Sequence, residues 1–141
     1  MKLKKKFVDK GYPVVIGEYG ANRKDASLYG GNQKLHDESM MAWYSSVTAE
    51  ILKAGLIPYV WDINVQPLPH MTLFNRAKEV VSDSYIFKGV MDGAEIGMET
   101  YHKIYPKPWY PGLSEPRIGR GKATKNLPDE TLVKKYQHLQ W

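Results

Sequence analysis

The residue of this chain best equipped for chemistry is Glu18, which closes the run Pro13-Val14-Val15-Ile16-Gly17 and precedes Tyr19-Gly20-Ala21. A carboxylate carried by a strand to a glycine-flanked turn can attack an electrophilic carbon, move a proton, or serve as a structural hydrogen-bond acceptor. Further along, Trp61-Asp62 ends a second apolar run, Leu56-Ile57-Pro58-Tyr59-Val60. Trp61 is either an exposed aromatic face or a core indole, and Asp62 is an acceptor suited to orienting Trp61 or a loop backbone. The four histidines, His36, His70, His102 and His138, lack the i, i+4 spacing of a helical zinc pair. They are expected to be solvated or capping groups, and no metal site is expected.

The elements that must position these residues follow from periodicity. Val14, Val15 and Ile16 are β-branched and uninterrupted by polar residues, which predicts a strand covered on both faces. Ahead of it, Lys2 to Asp9 mixes charged and apolar positions at helical spacing, with Gly11 as a C-cap. Residues 21–33 form a polar loop around Gly30-Gly31-Asn32. Met40, Trp43, Tyr44, Val47, Ile51 and Ala54 then recur at i, i+3, i+4, i+7, predicting a helix capped by Asp37 and stopped by Gly55. The second apolar run is a strand in which Pro58 is best tolerated near the start. Strand, helix and strand in about fifty residues make a βαβ unit, so both strands run parallel. Glu18 and Trp61-Asp62 are thereby expected on one edge of the sheet. After a proline-containing loop and a short Leu73-Phe74-Asn75-Arg76 segment, a further helix is predicted from Asp83 to Asp92, ended by Gly93. Arg76 is expected to form a structural salt bridge.

The 141 residues suffice for one domain with a real core. They fall short of the roughly 250 residues of a closed (β/α)8 barrel. The net charge is +5 and the sequence pI about 9.3, with lysines clustered at positions 2, 4, 5 and 6 and basic residues spread from Arg117 to Lys135. A solvated face and a basic tail account for both clusters, and no nucleic-acid partner is expected. The absence of cysteine excludes disulfides and thiolate metal sites. No apolar stretch follows the N-terminal lysines as an export signal requires, and no segment approaches the roughly 18 apolar residues of a membrane span. From Tyr101 onward, prolines interleaved with Tyr105, Trp109 and Tyr110 predict an extended segment. Residues 119–126 are basic and expected to be flexible, and a short helix is predicted over 129–139.

Three segments in order resemble the C-terminal part of glycoside hydrolase family 5, which holds many endo-β-1,4-glucanases. Phe7-Val8 through Lys10-Gly11-Tyr12-Pro13 to Glu18-Tyr19-Gly20-Ala21 is similar to the end of that family's sixth helix and its seventh strand. Pro58-Tyr59-Val60-Trp61-Asp62 resembles its eighth strand. Leu73-Phe74-Asn75-Arg76 is similar to its Leu-Phe-Asp-Arg stretch, with Asn75 in place of the usual Asp. The resemblance covers about residues 5–95 and divides the chain into a catalytic-barrel portion, 1–95, and a Pro/aromatic-rich basic tail, 96–141. It implies an α/β fold, the C-terminal βαβα portion of a (β/α)8 TIM barrel truncated at its N-terminus.

The chemistry implied by the resemblance is retaining hydrolysis of a β-1,4-linked glucan by double displacement, with no cofactor. Such enzymes use two carboxyl groups roughly 5–5.5 Å apart, one attacking the anomeric carbon and one protonating the leaving oxygen. Glu18 would be the nucleophile, kept ionised by nearby hydrogen-bond donors or a cation. Trp61 would present its face to a pyranose ring, Tyr19 would flank the cleft or pack in the loop, and Asn22 and Arg23 would line the sugar site or carry loop charge. The acid/base Glu of the family lies in an Asn-Glu pair absent from this chain, and Glu38, Glu50 and Glu95 fall on or beside helices. With Met1 inside the sixth-helix resemblance, the chain is expected to be a truncated frame or one piece of a split protein, inactive alone. Its partners would be β-glucan and the N-terminal part of the barrel, and the intact enzyme would be secreted or at the cell surface. The alternative is a non-catalytic carbohydrate-binding or assembly protein derived from such a domain, with Trp61 and the tail aromatics binding glycan.

Overall fold

A computed structural model describes residues 2–105. The expectations for Trp109-Tyr110, residues 119–126 and the helix over 129–139 lie outside the described residues. The chain opens with a short helix α1 (Lys2–Lys6) and one 3-10 turn (Val8–Lys10), closed by Gly11 at φ 84°, whose N–H bonds the Val8 carbonyl. This left-handed conformation costs glycine nothing. Strand β1 (Val14–Tyr19) follows, then a 3-10 turn (Ala26–Tyr29), helix α2 (Gln33–Lys53) and strand β2 (Leu56–Val60). The strands pair in parallel, Val14 opposite Leu56 and Ile16 opposite Pro58. The expected βαβ unit is therefore present.

Three details depart from the sequence reading. Helix α2 starts five residues earlier than expected, because Asn32 rather than Asp37 caps it by accepting from the Leu35 N–H at 3.1 Å. Asp37 is free for another task. Helix α3 (Ser84–Ile104) runs through Gly93 and past position 95 instead of ending there, so Tyr101 to Ile104 are helical rather than extended. Finally, Pro58 lies in the middle of β2, which has one strand partner among the described residues. An unpaired edge tolerates a missing ladder donor.

Packing explains the length of α3. A Cβ placed on Gly89 would lie 2.5 Å from the Met41 carbonyl oxygen, and one on Gly93 2.4 Å from that of Ser45. At Gly97 it would meet the Ala49 oxygen at 2.9 Å. The partners advance by four with the glycines, so α3 runs in the same direction as α2 with their backbones in near contact. Both helices lie on one face of the sheet. Leu56, Tyr44 and Ile86 are fully buried there, joined by Val14, Ile16 and Val60. The opposite face is bare among the described residues: Val15 and Tyr59 are 51% and 57% exposed. The expectation of a strand covered on both faces holds for one face only. Between β2 and α3, a loop with cis peptide bonds at Gln66–Pro67 and Leu68–Pro69 leads to a two-residue hairpin, β3 (Phe74–Asn75) and β4 (Val80–Val81).

Candidate functional site

The strand register determines where Glu18 points. Ile16 pairs with Pro58 but Tyr19 pairs with Val60, so β1 holds one residue more than β2 across this interval. That is a β-bulge at Gly17-Glu18, a device that re-aims side chains near strand ends. Without it, strict alternation would put Glu18 on the helix-covered face with Ile16. With it, Gly17 and Glu18 are both exposed and Tyr19 turns inward. Gly17 inside a strand pattern is the sequence signal that could have disclosed the bulge.

Trp61 is carried to the same side. It continues the ladder by donating its N–H to the Tyr19 carbonyl at 2.9 Å. One residue past the end of β2 and two beyond the exposed Tyr59, it falls by strand alternation on the bare side, and the residue is 41% exposed. A Cβ at Gly20 would crowd the Met71 sulfur at 3.1 Å, whereas its 3.6 Å to Trp61 Cβ would be ordinary contact. The turn after Glu18 is held from below. Tyr44, wholly buried on α2, accepts from the Ala21 N–H at 3.0 Å and donates to the Ala21 carbonyl at 3.1 Å.

Tyr19 is reassigned from the sugar site to the core. Its ring is 9% exposed and its hydroxyl lies 2.6 Å from Thr48 Oγ1; burial raises its pKa. The bulge explains the reversal, because it turns Tyr19 to the helix side as it turns Glu18 away. Asn22 is exposed in the loop beyond. The Glu18 side chain makes no hydrogen bond or ion pair among the described residues, so the donors expected around a nucleophile are not supplied by this part of the molecule.

Asp62 organises the loop that carries Trp61. Its Oδ2 accepts from the N–H groups of Leu73 (2.9 Å) and Phe74 (2.8 Å), and its Oδ1 accepts from Asn64 N–H (2.8 Å) and the Arg76 guanidinium (3.3 Å). The structural salt bridge expected of Arg76 is thus to Asp62. His70 is buried, its Nδ1 accepting from the Thr72 N–H at 3.2 Å, and desolvation lowers its pKa. His36 accepts from the Lys24 N–H. No cluster of three or more potential metal ligands occurs among the described residues, and no described helix is long and apolar enough to cross a membrane.

The sequence reading missed Arg23 as a structural centre. Its Nε and Nη2 donate to the two oxygens of Asp37, each at 2.7 Å, and Nη1 reaches Asp83 at 3.4 Å. The Asn32 cap, which frees Asp37 on the inner side of α2, was the available signal.

Comparison with known proteins places this geometry in context. The chain is 33% identical over 90 residues to endoglucanase A of Paenibacillus barcinonensis, a match covering 64% of this chain and 21% of that protein. A GH5 xyloglucan-specific β-1,4-glucanase from a ruminal metagenomic library, solved in complex with XXLG, superposes with a TM-score of 0.62 and 31% identity. That match covers 67% of this chain and 25% of the other. A family 5 xyloglucanase from Paenibacillus pabuli, in complex with ligand, gives 0.56 and 33%, covering 64% and 24%. No family model matches the chain. These matches show a cellulase-like family 5 relationship over part of the chain, which spans between 21% and 25% of the length of these relatives.

Proposed function

We propose that this chain, related over part of its length to family 5 cellulases and xyloglucanases, is the nucleophile-bearing portion of a retaining β-1,4-glucanase barrel. The observation that supports the reading is the bulge at Gly17-Glu18, which leaves Glu18 exposed at the strand end next to the ladder bond from the half-exposed Trp61 to Tyr19. Glu18 attacks the anomeric carbon and forms the glycosyl-enzyme; a second carboxyl group, supplied from outside the described residues, protonates the leaving oxygen and then activates water. Trp61 stacks on the apolar face of a glucosyl ring, and Asn22 donates to sugar hydroxyls. Xyloglucan is the favoured substrate class, since both superposed structures are xyloglucanases. Such a polymer lies outside the cell, and the intact enzyme would act there.

The bare sheet face supports the same reading. Val15 and Tyr59 line it, and neither edge of the two-stranded sheet is paired beyond β1 and β2 among the described residues. An apolar face with open parallel edges is completed by further strands, so the other partner of this chain is the remainder of a barrel. The chain alone has no turnover on this account. The test is Glu18→Gln in the chain combined with the remainder of a family 5 barrel. Loss of xyloglucan hydrolysis with binding kept supports the nucleophile; unchanged turnover refutes it, and unchanged binding without any turnover in the unsubstituted complex favours the carbohydrate-binding alternative.

A further inference from the structure

We infer that Arg23 is the positioning residue that registers the loop after Glu18 against the loop carrying Trp61. The inference rests on the glycanase reading for its functional consequence, and on the following geometry for its physical basis.

Arg23 lies five residues beyond Glu18 and acts through both backbone and side chain. Its main chain forms an antiparallel bridge with His70: Arg23 N–H to the His70 carbonyl at 2.8 Å, and His70 N–H to the Arg23 carbonyl at 3.0 Å. This reciprocal pair joins the β1–α2 loop to the β2–α3 loop, the segments that follow Glu18 and Trp61. The guanidinium then fixes the joined loops to the helices. Asp37 stands in the second turn of α2 and takes the planar fork with both oxygens, a bidentate geometry lysine cannot reproduce. Asp83 caps α3, accepting from the Tyr85 and Ile86 N–H groups at 3.0 Å each while its other oxygen meets Arg23 at 3.4 Å. The Tyr85 ring lies under the guanidinium at 5.3 Å.

Both carboxylates are almost inaccessible, with side chains 6% and 0% exposed. A buried pair losing its partner leaves an uncompensated charge, so the clamp has one low-energy arrangement. Each loop has its own internal ties, Tyr44 at Ala21 and Asp62 at Leu73 and Phe74, but beside the strand ends the two segments meet through the ladder bond from Trp61 to Tyr19. Arg23 supplies the second tie, some residues further out, and so sets the angle between the loops. A nucleophile displaced by about 1 Å from its partner groups can lose on the order of 100-fold in rate.

The test uses Arg23→Lys and, as a milder change that keeps the arginine, Asp37→Asn, each in the full 141-residue chain. Amide hydrogen exchange is read at Arg23, His70 and Trp61 and, for comparison, at Ala49 and Ala94 in the α2–α3 interface. The expected result is exchange at least about tenfold faster at the three loop amides with the interface amides within about twofold of the parent. Unchanged protection at the loop amides overturns the inference, as does equal acceleration everywhere, which marks a merely global loss of stability. In the chain joined to the remainder of a family 5 barrel, Arg23→Lys is expected to lower kcat by about 10- to 100-fold with KM within about threefold. Unchanged kcat there also overturns it. Failure of the glycanase reading shows separately, as turnover indifferent to Glu18→Gln, and leaves the exchange pattern standing.

Discussion

Asp37 makes the residue-scale argument concrete. Position 37 reads as a helix cap in the sequence, since Asp before an apolar-periodic run is the usual signal. Its actual work is to neutralise Arg23, 14 positions earlier, and that pairing is invisible until the loop folds back. Hydrogen bonding from Arg23 holds the Asp37 carboxyl below the ordinary carboxylate range. The sign follows from linkage. With the folded pKa below the unfolded value of roughly 3.9, the clamp contributes fully above that pH and is lost as pH falls through the folded pKa. Between pH 5 and pH 3, the parent chain should therefore lose more thermal stability than Asp37→Asn. Equal losses in the two proteins would count against the clamp as an ionised pair. Glu18 and Trp61-Asp62, by contrast, were legible as candidates, because a carboxylate terminating an apolar run is visible without any fold. Tyr19 was left open between cleft and packing for lack of one fact, the extra residue at Gly17-Glu18 that turns it to the helix side.

At the scale of elements, the βαβ unit was readable because helix and strand periods differ and Gly55 separates them. Helix α3 was readable in its first half only. Glycine is a poor helix former and near a helix end reads as a stop, yet here the spacing Gly89, Gly93, Gly97 presents a groove to the carbonyl-bearing ridge of α2. Tertiary contact overrides propensity, and single-sequence reasoning has no view of that contact. Gly93→Ala tests the point. The added methyl meets a backbone oxygen rather than a yielding side-chain tip, so the helices must separate, at a cost of about 3 kcal/mol or more. Chemical denaturation should show the loss, whereas Gly17→Ala, which meets nothing within 4 Å, should cost far less. Similar stability of both variants would mean that α2 and α3 do not pack this closely.

For the whole molecule, the described residues form two layers, a pair of parallel helices on a pair of parallel strands, with the second sheet face uncovered. The family 5 relationship explains the uncovered face economically: in a closed barrel that face is the packed interior and its upper rim is the active site. The sequence pointed to this arrangement through motif order, while the bulge at Gly17-Glu18 emerged from the register. Covalent trapping is the most direct measurement of the central claim. The chain is combined with the remainder of a family 5 barrel, exposed to a 2-deoxy-2-fluoro cello-oligosaccharide carrying an activated leaving group, digested and mapped by mass spectrometry. The account predicts a fluoroglycosyl ester on the peptide containing Glu18, abolished by Glu18→Gln. A label on another carboxylate, with Glu18 unmodified, would contradict it.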